Sequence, residues 1–463
     1  MRKKKFRDYL IVLVFLLITT LASNVDRNVL STTFLFEFLI VVLLWFSLVD
    51  FPVRSFKIYS LSPTFRYTHL SLVAFGGLFI GLSRPELGPY MTPLYIPVAL
   101  ISLLFTPEIA IVSGVVLTFL AVQRWYSDPV LYLPFLIVVY STAKTLSMTT
   151  RRTNIMRSSF AVSVLSLSSA LFVKLVLGIS YTKHDLWVAF LNPFISGILV
   201  IGILPYVEYT SRIYSNMGLE EFGNLNHPLL KMLSMRAPGT YYHSVLVANL
   251  AETAAERINA NPVLARIGSY FHDIGKVKRP NFFTENIRDD KNPHDNINPS
   301  LSHLILNEHV KYGVELARKY RLPLLVEFII PQHHGTRSQK YFYYKAKQKF
   351  PNVSEEEFRY PGPKPQFKEA AIVMLADSVE AASRSLKNPS VGQIRECVEN
   401  VISSIFFERQ LDESGITLSD LEKISDAFLQ ALVSLFSTRV EYPDEESIPK
   451  AVRINGASGD TGA

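Results

Sequence analysis

Apolar residues run almost unbroken through the first 207 residues of the chain, in segments separated by short polar stretches. A helix that crosses a bilayer needs about 20 mostly apolar residues, and somewhat fewer where polar flanking residues snorkel. Eight segments predict spanning helices, at 8–24, 33–50, 68–83, 91–105, 107–123, 129–146, 157–178 and 186–207. The fourth and fifth segments are the weakest, and they form either two spans or a re-entrant pair.

Beyond residue 207 charged residues become frequent, and apolar positions recur at helical spacing. Pro238-Gly239-Thr240 sets up a helix start, and Gly275 is placed to end the next helix, which runs from about Pro262 through His272-Asp273. Further helices are predicted at 300–320, from 323 onward, and at 367–386, 391–409 and 417–437. No segment has a convincing strand pattern. The predicted fold class is therefore all-α, with a polytopic α-helical membrane domain followed by an all-α soluble domain.

These patterns divide the chain into four parts. Residues 1–24 are predicted to form an N-terminal anchor helix, 33–207 a multi-span transmembrane domain, 208–450 the soluble domain and 451–463 a flexible tail. The first segment also has the basic start and apolar run of a cleaved signal peptide. A second span follows it after only a short polar turn, which favours a retained anchor.

Basic residues collect on one side of the predicted spans. The N-terminus and the loops on its side carry Arg2, Lys3, Lys4, Lys5, Arg7, Arg54, Lys57, Arg66, Lys144, Arg151, Arg152, Arg157 and Arg212. The loops on the opposite side hold few and mixed charges. Because positively charged loops stay in the cytoplasm, we expect both the N-terminus and the soluble domain to be cytoplasmic.

Composition supports the division into a membrane half and a soluble half, and it excludes some classes of function. A mean hydropathy of +0.21, with 49% hydrophobic and 19% charged residues, is too apolar for an ordinary soluble enzyme of this length. The net charge of +7 has a sufficient source in residues that flank the spans, so we predict no nucleic-acid polymer as a partner. The single cysteine, Cys397, excludes an intrachain disulfide and a metal cluster held by thiolates.

Histidine and aspartate residues of the soluble half form a candidate metal site. Eight of the ten histidines lie after Tyr206. The seven candidate ligands are His243, His272, Asp273, His309, His333, His334 and Asp377. Imidazole and carboxylate are the ligands expected of iron, manganese or zinc where no thiolate is available. A lone histidine on a helix is usually a core or surface residue, but five histidines and two aspartates on successive predicted helices favour metal binding.

Six stretches make the soluble half similar to a known family. They read Pro238-Gly239-Thr240-Tyr241-Tyr242-His243-Ser244, Tyr270-Phe271-His272-Asp273-Ile274-Gly275-Lys276, Asn292-Pro293-His294-Asp295, Gln332-His333-His334-Gly335-Thr336, Phe358-Arg359-Tyr360-Pro361-Gly362-Pro363-Lys364-Pro365 and Ala376-Asp377-Ser378-Val379-Glu380-Ala381-Ala382. A distant His, then His-Asp, then a distant Asp is the signature of the HD-domain phosphohydrolases. The chain resembles in particular the PgpH-type membrane HD proteins, the seven-transmembrane HD group that degrades cyclic di-AMP.

The resemblance implies a membrane-bound phosphodiesterase that hydrolyses cyclic di-AMP to linear 5′-pApA with two divalent metal ions, manganese or iron. One ion is expected on His243, His272 and Asp377 and the other on His309, His333 and His334, with Asp273 bridging the two. In this scheme a hydroxide that bridges the ions attacks phosphorus, and the 3′-oxygen leaves. The catalytic residues are then Asp273 and Lys276. Lys276 is placed to steady charge on phosphate oxygens, unless it is only a solvated cation at a helix end.

Substrate contacts and substrate identity are less constrained by the sequence. Thr336 and Arg337 are candidate phosphate contacts, while Tyr341 and Tyr344 are candidates for stacking on adenine, with packing of their aromatic segment as the alternative. The Gly-Tyr-Pro signature of cyclic di-GMP enzymes has no match at 360–363, which reads Tyr-Pro-Gly-Pro. Cyclic di-GMP or another nucleotide phosphate stays open as an alternative substrate, and a membrane receptor whose HD domain only binds nucleotide is the alternative function.

One departure from the family concerns the first loop. The family usually carries a large extracytoplasmic domain after its first span, whereas only about Ser23 to Thr32 separates the first two predicted spans here. A sensing role of that domain cannot be transferred to this sequence. The resemblance otherwise implies a multi-pass protein of the bacterial inner or plasma membrane, with its HD domain in the cytoplasm. The expected partners are the cyclic dinucleotide and the lipid bilayer, and a homodimer is one oligomeric state left open.

Overall fold

The structure is a computed structural model of the chain. It describes residues 2–23, 32–44, 61–83, 88–124, 129–147, 149–178, 182–287, 292–350 and 352–437. Within these ranges the chain forms 18 α-helices and several short 3-10 turns, with no strand beyond one isolated bridge between Ser338 and Arg359. The all-α prediction is confirmed. The predicted flexible tail at 451–463 lies outside the described residues.

Eight apolar helices form the N-terminal half. They are α1 (Arg2–Ser23), α2 (Thr32–Leu44), α3 (Pro63–Leu82), α4 (Tyr95–Leu104), α5 (Pro107–Arg124), α6 (Tyr132–Leu146), α7 (Arg152–Leu177) and α8 (Lys183–Ser211). Helices α3, α5, α7 and α8, and α6 with the 3-10 turn before it, are long and apolar enough to cross a membrane. The apolar stretches of α1, α2 and α4 are shorter. Each predicted span overlaps one of these helices, although residues 45–50 of the second span lie outside the described ranges.

The membrane helices pack closely on their inner faces and remain apolar outside. Leu175 of α7 and Trp187 and Ile195 of α8 have exposed side chains, which is expected where lipid is the neighbour. On the inner side, a Cβ added to Gly197 of α8 would lie 2.4 Å from the Cβ of Ser159 on α7. Small residues at this crossing therefore allow the two longest spans to pack backbone against backbone.

Ten helices build the C-terminal half around one central helix. They are α9 (Asn216–Phe222), α10 (Pro228–Arg236), α11 (Pro238–Arg257), α12 (Pro262–Phe271), α13 (Pro299–Lys319), α14 (Leu324–Gln332), α15 (Lys340–Lys349), α16 (Lys368–Ser383), α17 (Val391–Phe407) and α18 (Leu418–Ser437). Residues 370–376 of α16 are all buried, and α16 packs against α11, α12, α14 and α17. A helix enclosed in this way has to be apolar on all sides. Helix α16 thus fixes the relative positions of the helices around it.

The two halves meet directly after α8. Arg212 adopts a left-handed backbone conformation with a φ of 59°. Its guanidinium donates hydrogen bonds to the carbonyl of Leu322, at 2.9 and 2.5 Å, and to Oε2 of Glu327 at 2.7 Å. The backbone nitrogen of Leu324 donates to the carbonyl of Arg212 at 3.0 Å. These bonds hold the tip of the α13–α14 hairpin against the end of the last apolar helix.

Apolar packing and a second arginine complete this junction. Leu324, Leu325 and Phe328 of α14 pack against the hydrophobic core of the membrane half. Glu327, which is buried, also accepts a hydrogen bond of 2.7 Å from Arg318. A carboxylate buried in this way is stable only with its charge partners in place. The position of α14 therefore depends on contacts with the membrane half.

The substitution Glu327→Gln is expected to lower the melting temperature of the detergent-solubilised protein. The amide keeps the shape of the side chain but removes the charge that pairs with Arg212 and Arg318, and hydrogen bonds to charged groups contribute about 1.5–3 kcal/mol each. Glu221→Gln is the control, because it breaks an exposed ion pair with Arg152 nearby, which is worth at most about 1 kcal/mol. Equal melting temperatures for the two variants would show that the junction does not stabilise the fold.

Candidate metal centre

The structure brings all seven predicted ligands together from five helices. His243 lies in α11, His272 and Asp273 directly follow α12, His309 lies in α13, His333 and His334 follow α14, and Asp377 lies in α16. They form two groups that share Asp273. The first ligand group is His243, His272, Asp273 and Asp377, and the second ligand group is Asp273, His309, His333 and His334. Within each group, one potential ligand atom of every residue lies within 4.8 Å of all the others.

The two carboxylate oxygens of Asp273 face different groups. Oδ2 lies 3.2 Å from Nε2 of His272 and 3.7 Å from Nε2 of His243. Oδ1 lies 3.4 Å from Nε2 of His309 and 3.6 Å from Nε2 of His333. This is the arrangement required of a carboxylate that gives one oxygen to each of two cations.

Several ligand atoms are buried and have no hydrogen-bond partner. They are Nε2 of His272, His309 and His333, and Oδ1 of Asp273. Burying a polar atom without a partner costs about 1–3 kcal/mol, so four such atoms close together favour the binding of a cation. Nitrogen and oxygen donors without thiolate suit iron, manganese or zinc. The residues present therefore fit two divalent cations.

Backbone carbonyls orient three of the imidazoles. Nδ1 of His272 donates to the carbonyl of Ser269 at 2.7 Å, Nδ1 of His333 donates to that of Ile330 at 2.6 Å, and Nδ1 of His309 donates to that of Leu306. A proton on Nδ1 leaves the Nε2 lone pair free for a metal. His334 is held differently, because its ring stacks on Tyr360 at a centroid distance of 4.2 Å.

Burial and neighbouring charge set the protonation of these groups in the metal-free chain. Burial raises the pKa of Asp273, but Lys276 and His272 outweigh it and hold that pKa well below its usual range. Burial lowers the pKa of His309 to about 3 and holds the pKa of His334 well below its usual range. For His272 burial lowers the pKa, but Asp273 and Asp377 raise it to about 10. Metal binding at the first ligand group must therefore displace a proton.

Lys276 is buried beside Asp273, so the alternative of a solvated helix-end cation is wrong. Its Nζ lies 2.6 Å from Oδ2 of Asp273 and 2.8 Å from Oε1 of Glu285. Burial lowers the pKa of Lys276, but these two carboxylates outweigh it and raise the pKa above its usual range. The ammonium is therefore charged throughout the physiological pH range and also faces the cavity next to the ligands.

Gly275 has a different structural role from the one predicted. Helix α12 ends at Phe271, and Gly275 lies in the 3-10 turn Ile274–Lys278 rather than at the end of the helix. A Cβ at this position would lie 1.8 Å from the carbonyl oxygen of His309. Glycine thus lets the backbone of α13 approach the His-Asp turn, and this close approach brings the His309 imidazole to Asp273.

A cavity of about 560 Å³ opens over the ligands. Its lining includes Lys276 and the aromatic side chains of Phe282, Phe283, Tyr341, Phe342 and Tyr360. The sequence reasoning missed both phenylalanines of the 280–283 segment, because short 3-10 turns carry no hydrophobic period. The predicted contact Tyr341 is among the lining residues, whereas Tyr344 is not.

The two predicted phosphate contacts are engaged elsewhere. The backbone nitrogen of Thr336 donates to Oε1 of Gln410 at 2.9 Å. Arg337 donates to Glu408 and to the hydroxyl of Ser378, at 3.0 Å in both cases. Neither Thr336 nor Arg337 lines the cavity. The structure therefore places Lys276 and Tyr341 at the cavity, whereas the polar groups of Thr336 and Arg337 bond to α16 and to the residues after α17.

Gly275→Ala is expected to reduce bound metal to one ion per chain or fewer. The added methyl group meets backbone rather than a movable side chain, so α13 has to shift and His309 moves away from Asp273. The matched control is Gly392→Ala, since a Cβ on Gly392 has no contact closer than 3.9 Å. Metal content measured by atomic emission on the purified full chain tests this. Two ions per chain in Gly275→Ala would contradict it.

Both halves of the chain match known protein families. Residues 9–215 match the family model described as "7TM receptor with intracellular HD hydrolase", and residues 240–382 match that of the HD domain. The cyclic-di-AMP phosphodiesterase PgpH of Bacillus subtilis is 36% identical over 406 residues, which are 86% of this chain and 56% of the relative. PgpH of Listeria monocytogenes is 42% identical over 301 residues, 64% of this chain and 42% of the relative. The chain thus spans about half the length of these curated relatives.

A solved structure also matches the C-terminal half. It is the HD domain of L. monocytogenes PgpH in complex with cyclic di-AMP, with 46% sequence identity and a TM-score of 0.45. The match covers 46% of this chain and 99% of the solved domain. The two family models and the identity to the PgpH relatives confirm the family predicted from the sequence motifs. The chain belongs to the PgpH-type family of membrane proteins, which join a seven-transmembrane region to an HD hydrolase domain.

Proposed function

We propose that the protein is a metal-dependent phosphodiesterase of the bacterial cell membrane that hydrolyses cyclic di-AMP to linear 5′-pApA. The observation that carries the proposal is the carboxylate of Asp273, whose two oxygens each face a separate set of histidines. Two relatives named as cyclic-di-AMP phosphodiesterases support the substrate. The catalytic region is proposed to be residues 208–450, on the cytoplasmic side because of the basic loops.

The ligand set suits two cations of manganese or iron. His243, His272 and Asp377 would hold one, His309, His333 and His334 the other, and Asp273 both. When bound, two such ions would supply Lewis acidity toward a phosphodiester. The remaining catalytic requirements are to bind the dinucleotide, to orient its phosphate and to limit access of solvent.

Lys276 is proposed to orient the scissile phosphate. An ammonium has three N–H donors, and the contacts with Asp273 and Glu285 use two of them. Because Lys276 lines the cavity, its third donor is available to a phosphate oxygen. Glu285 in turn accepts a hydrogen bond of 2.8 Å from the hydroxyl of Thr240. The lysine is therefore fixed before substrate arrives, as electrostatic preorganisation requires.

Aromatic side chains at the cavity are proposed to bind the bases. Phe282, Phe283, Tyr341 and Phe342 supply apolar surface in the lining of the cavity. A volume of about 560 Å³ lies within the usual range for small-molecule sites. Stacking on an aromatic ring contributes about 1–3 kcal/mol per base, which provides affinity without relying on the metal centre.

Side-by-side hydrolysis of cyclic di-AMP and cyclic di-GMP by the manganese-loaded full chain tests the proposal. We expect conversion of cyclic di-AMP to pApA, loss of that activity on adding a chelator, and slower turnover of cyclic di-GMP. Asp273→Ala should lower kcat by at least about a thousandfold, since a variant lacking both bridging oxygens loses charge stabilisation worth about 4 kcal/mol or more. Asp426→Ala, at an exposed position of α18, is the control.

Preferential hydrolysis of cyclic di-GMP would show that cyclic di-GMP, not cyclic di-AMP, is the substrate. The proposed metal-dependent hydrolysis of a phosphodiester would still hold. Binding of cyclic di-AMP by the wild type with two metals present, but without turnover, would favour the receptor alternative. Full activity of Asp273→Ala at normal metal content would contradict the two-metal arrangement itself.

Two neighbouring tyrosines allow a test of whether Tyr341 stacks on a base of the substrate. Tyr341 and Tyr344 are similarly exposed, at 59% and 58%, but only Tyr341 lines the cavity. Tyr341→Ala is expected to raise KM for cyclic di-AMP by about fivefold or more, which corresponds to the loss of about 1 kcal/mol of stacking. Tyr344→Ala should leave KM unchanged. Steady-state kinetics of both variants decides the matter, and equal values of KM would argue against stacking on Tyr341.

A further inference from the structure

His243 is held through both ring nitrogens by a single helix. Its Nε2 lies 3.0 Å from Oδ1 of Asp377, and its Nδ1 donates to Oε2 of Glu380 at 2.6 Å. Asp377 and Glu380 are three residues apart on α16 and therefore lie on one face of that helix. One carboxylate belongs to the first ligand group, while the other lies behind the ring.

This second carboxylate distinguishes His243 from the other oriented histidines. His272, His309 and His333 each donate Nδ1 to a backbone carbonyl three residues earlier in their own segment. Such a bond fixes the tautomer but brings no charge. The partner of His243 is a side chain from a different helix, and a carboxylate there raises the basicity of the imidazole as a ligand.

Glu380 is itself held in place by an arginine. It is 2% exposed, and its Oε1 accepts a hydrogen bond of 2.8 Å from Nε of Arg384, one turn later on α16. The side chain of Arg384 is 40% exposed and reaches the cavity. A buried carboxylate has to be paired in this way to remain stable, and the arginine leaves the other oxygen free to face His243.

The two ligand groups consequently differ in charge. The first contains Asp377 in addition to the shared Asp273, with Glu380 in direct contact with His243. The second contains three imidazoles and only the shared Asp273. A divalent cation is held more strongly where more negative charge surrounds it. Arg384 offsets part of the charge of Glu380 but bonds Oε1, whereas His243 bonds Oε2.

We propose that Glu380 is a positioning residue that presents Nε2 of His243 to the metal and makes the first ligand group the tighter of the two cation sites. The inference rests on the proposed two-metal function. It adds that the first ligand group binds its cation before the second. Glu380 is responsible for part of the difference in affinity between the two sites.

Titration of the metal-stripped, detergent-solubilised full chain with Mn²⁺ tests this inference without any substrate. The wild type should take up two ions in two resolved steps, and His334→Ala should remove the weaker step. Glu380→Gln should weaken the tighter step by about 10- to 100-fold, the usual effect of losing a hydrogen-bonded partner of a ligand. The weaker step should change by less than about threefold.

Glu252→Gln is the matched control. Glu252 lies on α11 with His243 and pairs with an arginine, Arg266, at 2.7 Å, but it touches none of the ligands. Both of its Mn²⁺ steps should equal those of the wild type. Arg384→Gln, at a half-exposed position, removes the ion pair that holds Glu380 and should weaken the tighter step in the same direction but by less. If a lowered melting temperature shows that Glu380→Gln is destabilised, this second variant still tests the inference.

Three outcomes would overturn the inference: a single Mn²⁺ affinity for both sites of the wild type, an unchanged tighter step in Glu380→Gln, or loss of the tighter step in His334→Ala. Each of them is compatible with normal hydrolysis of cyclic di-AMP by the wild type. Absence of that hydrolysis would instead refute the proposed function. The two failures are therefore separable.

Discussion

Asp273 is a carboxylate with 1% of its surface exposed, in contact with imidazoles from three separate helices. Removing an ionised carboxylate from water is expensive unless positive charge replaces the solvent. Lys276 supplies one positive charge. The imidazoles around the two oxygens of Asp273 are arranged to hold two metal cations in addition. The arrangement of helices α11 to α14 and α16 can be understood as the way in which the chain surrounds this single group with compensating charge.

Much of this organisation could be predicted from the sequence. Apolar runs and helical spacing are properties of the chain alone, so they predicted eight apolar helices and an all-α second half. The seven candidate ligands could be identified because histidine and aspartate recur on successive predicted helices, and the His-Asp-Ile-Gly-Lys string resembles a known family. None of that required knowledge of how the helices pack. The assignment of each residue to a metal is still a proposal.

Features that depend on packing between distant segments were not predictable. Gly275 looked like a helix terminator, whereas its lack of a side chain is needed for the approach of α13, 34 residues away at His309. Arg337 looked free to bind phosphate, yet Glu408 and Ser378 engage it. The 3-10 turns at 280–286 had no periodic pattern, and Glu380 is recognisable only once α16 lies beside His243. In each case the missing information was the identity of a partner remote in sequence.

The hairpin of α13 and α14 has two arms of nearly equal reach. Its tip is fixed at Arg212, and a rise of 1.5 Å per residue places His309 about 15 Å from the end of α13 and His333 about 14 Å from the start of α14. Their rings consequently lie side by side, with centroids 5.7 Å apart. One inserted or deleted residue in either arm would turn its histidine by about 100° and shift it along the axis. The number of residues in each arm of the hairpin is therefore as much a requirement of the site as the two histidines themselves.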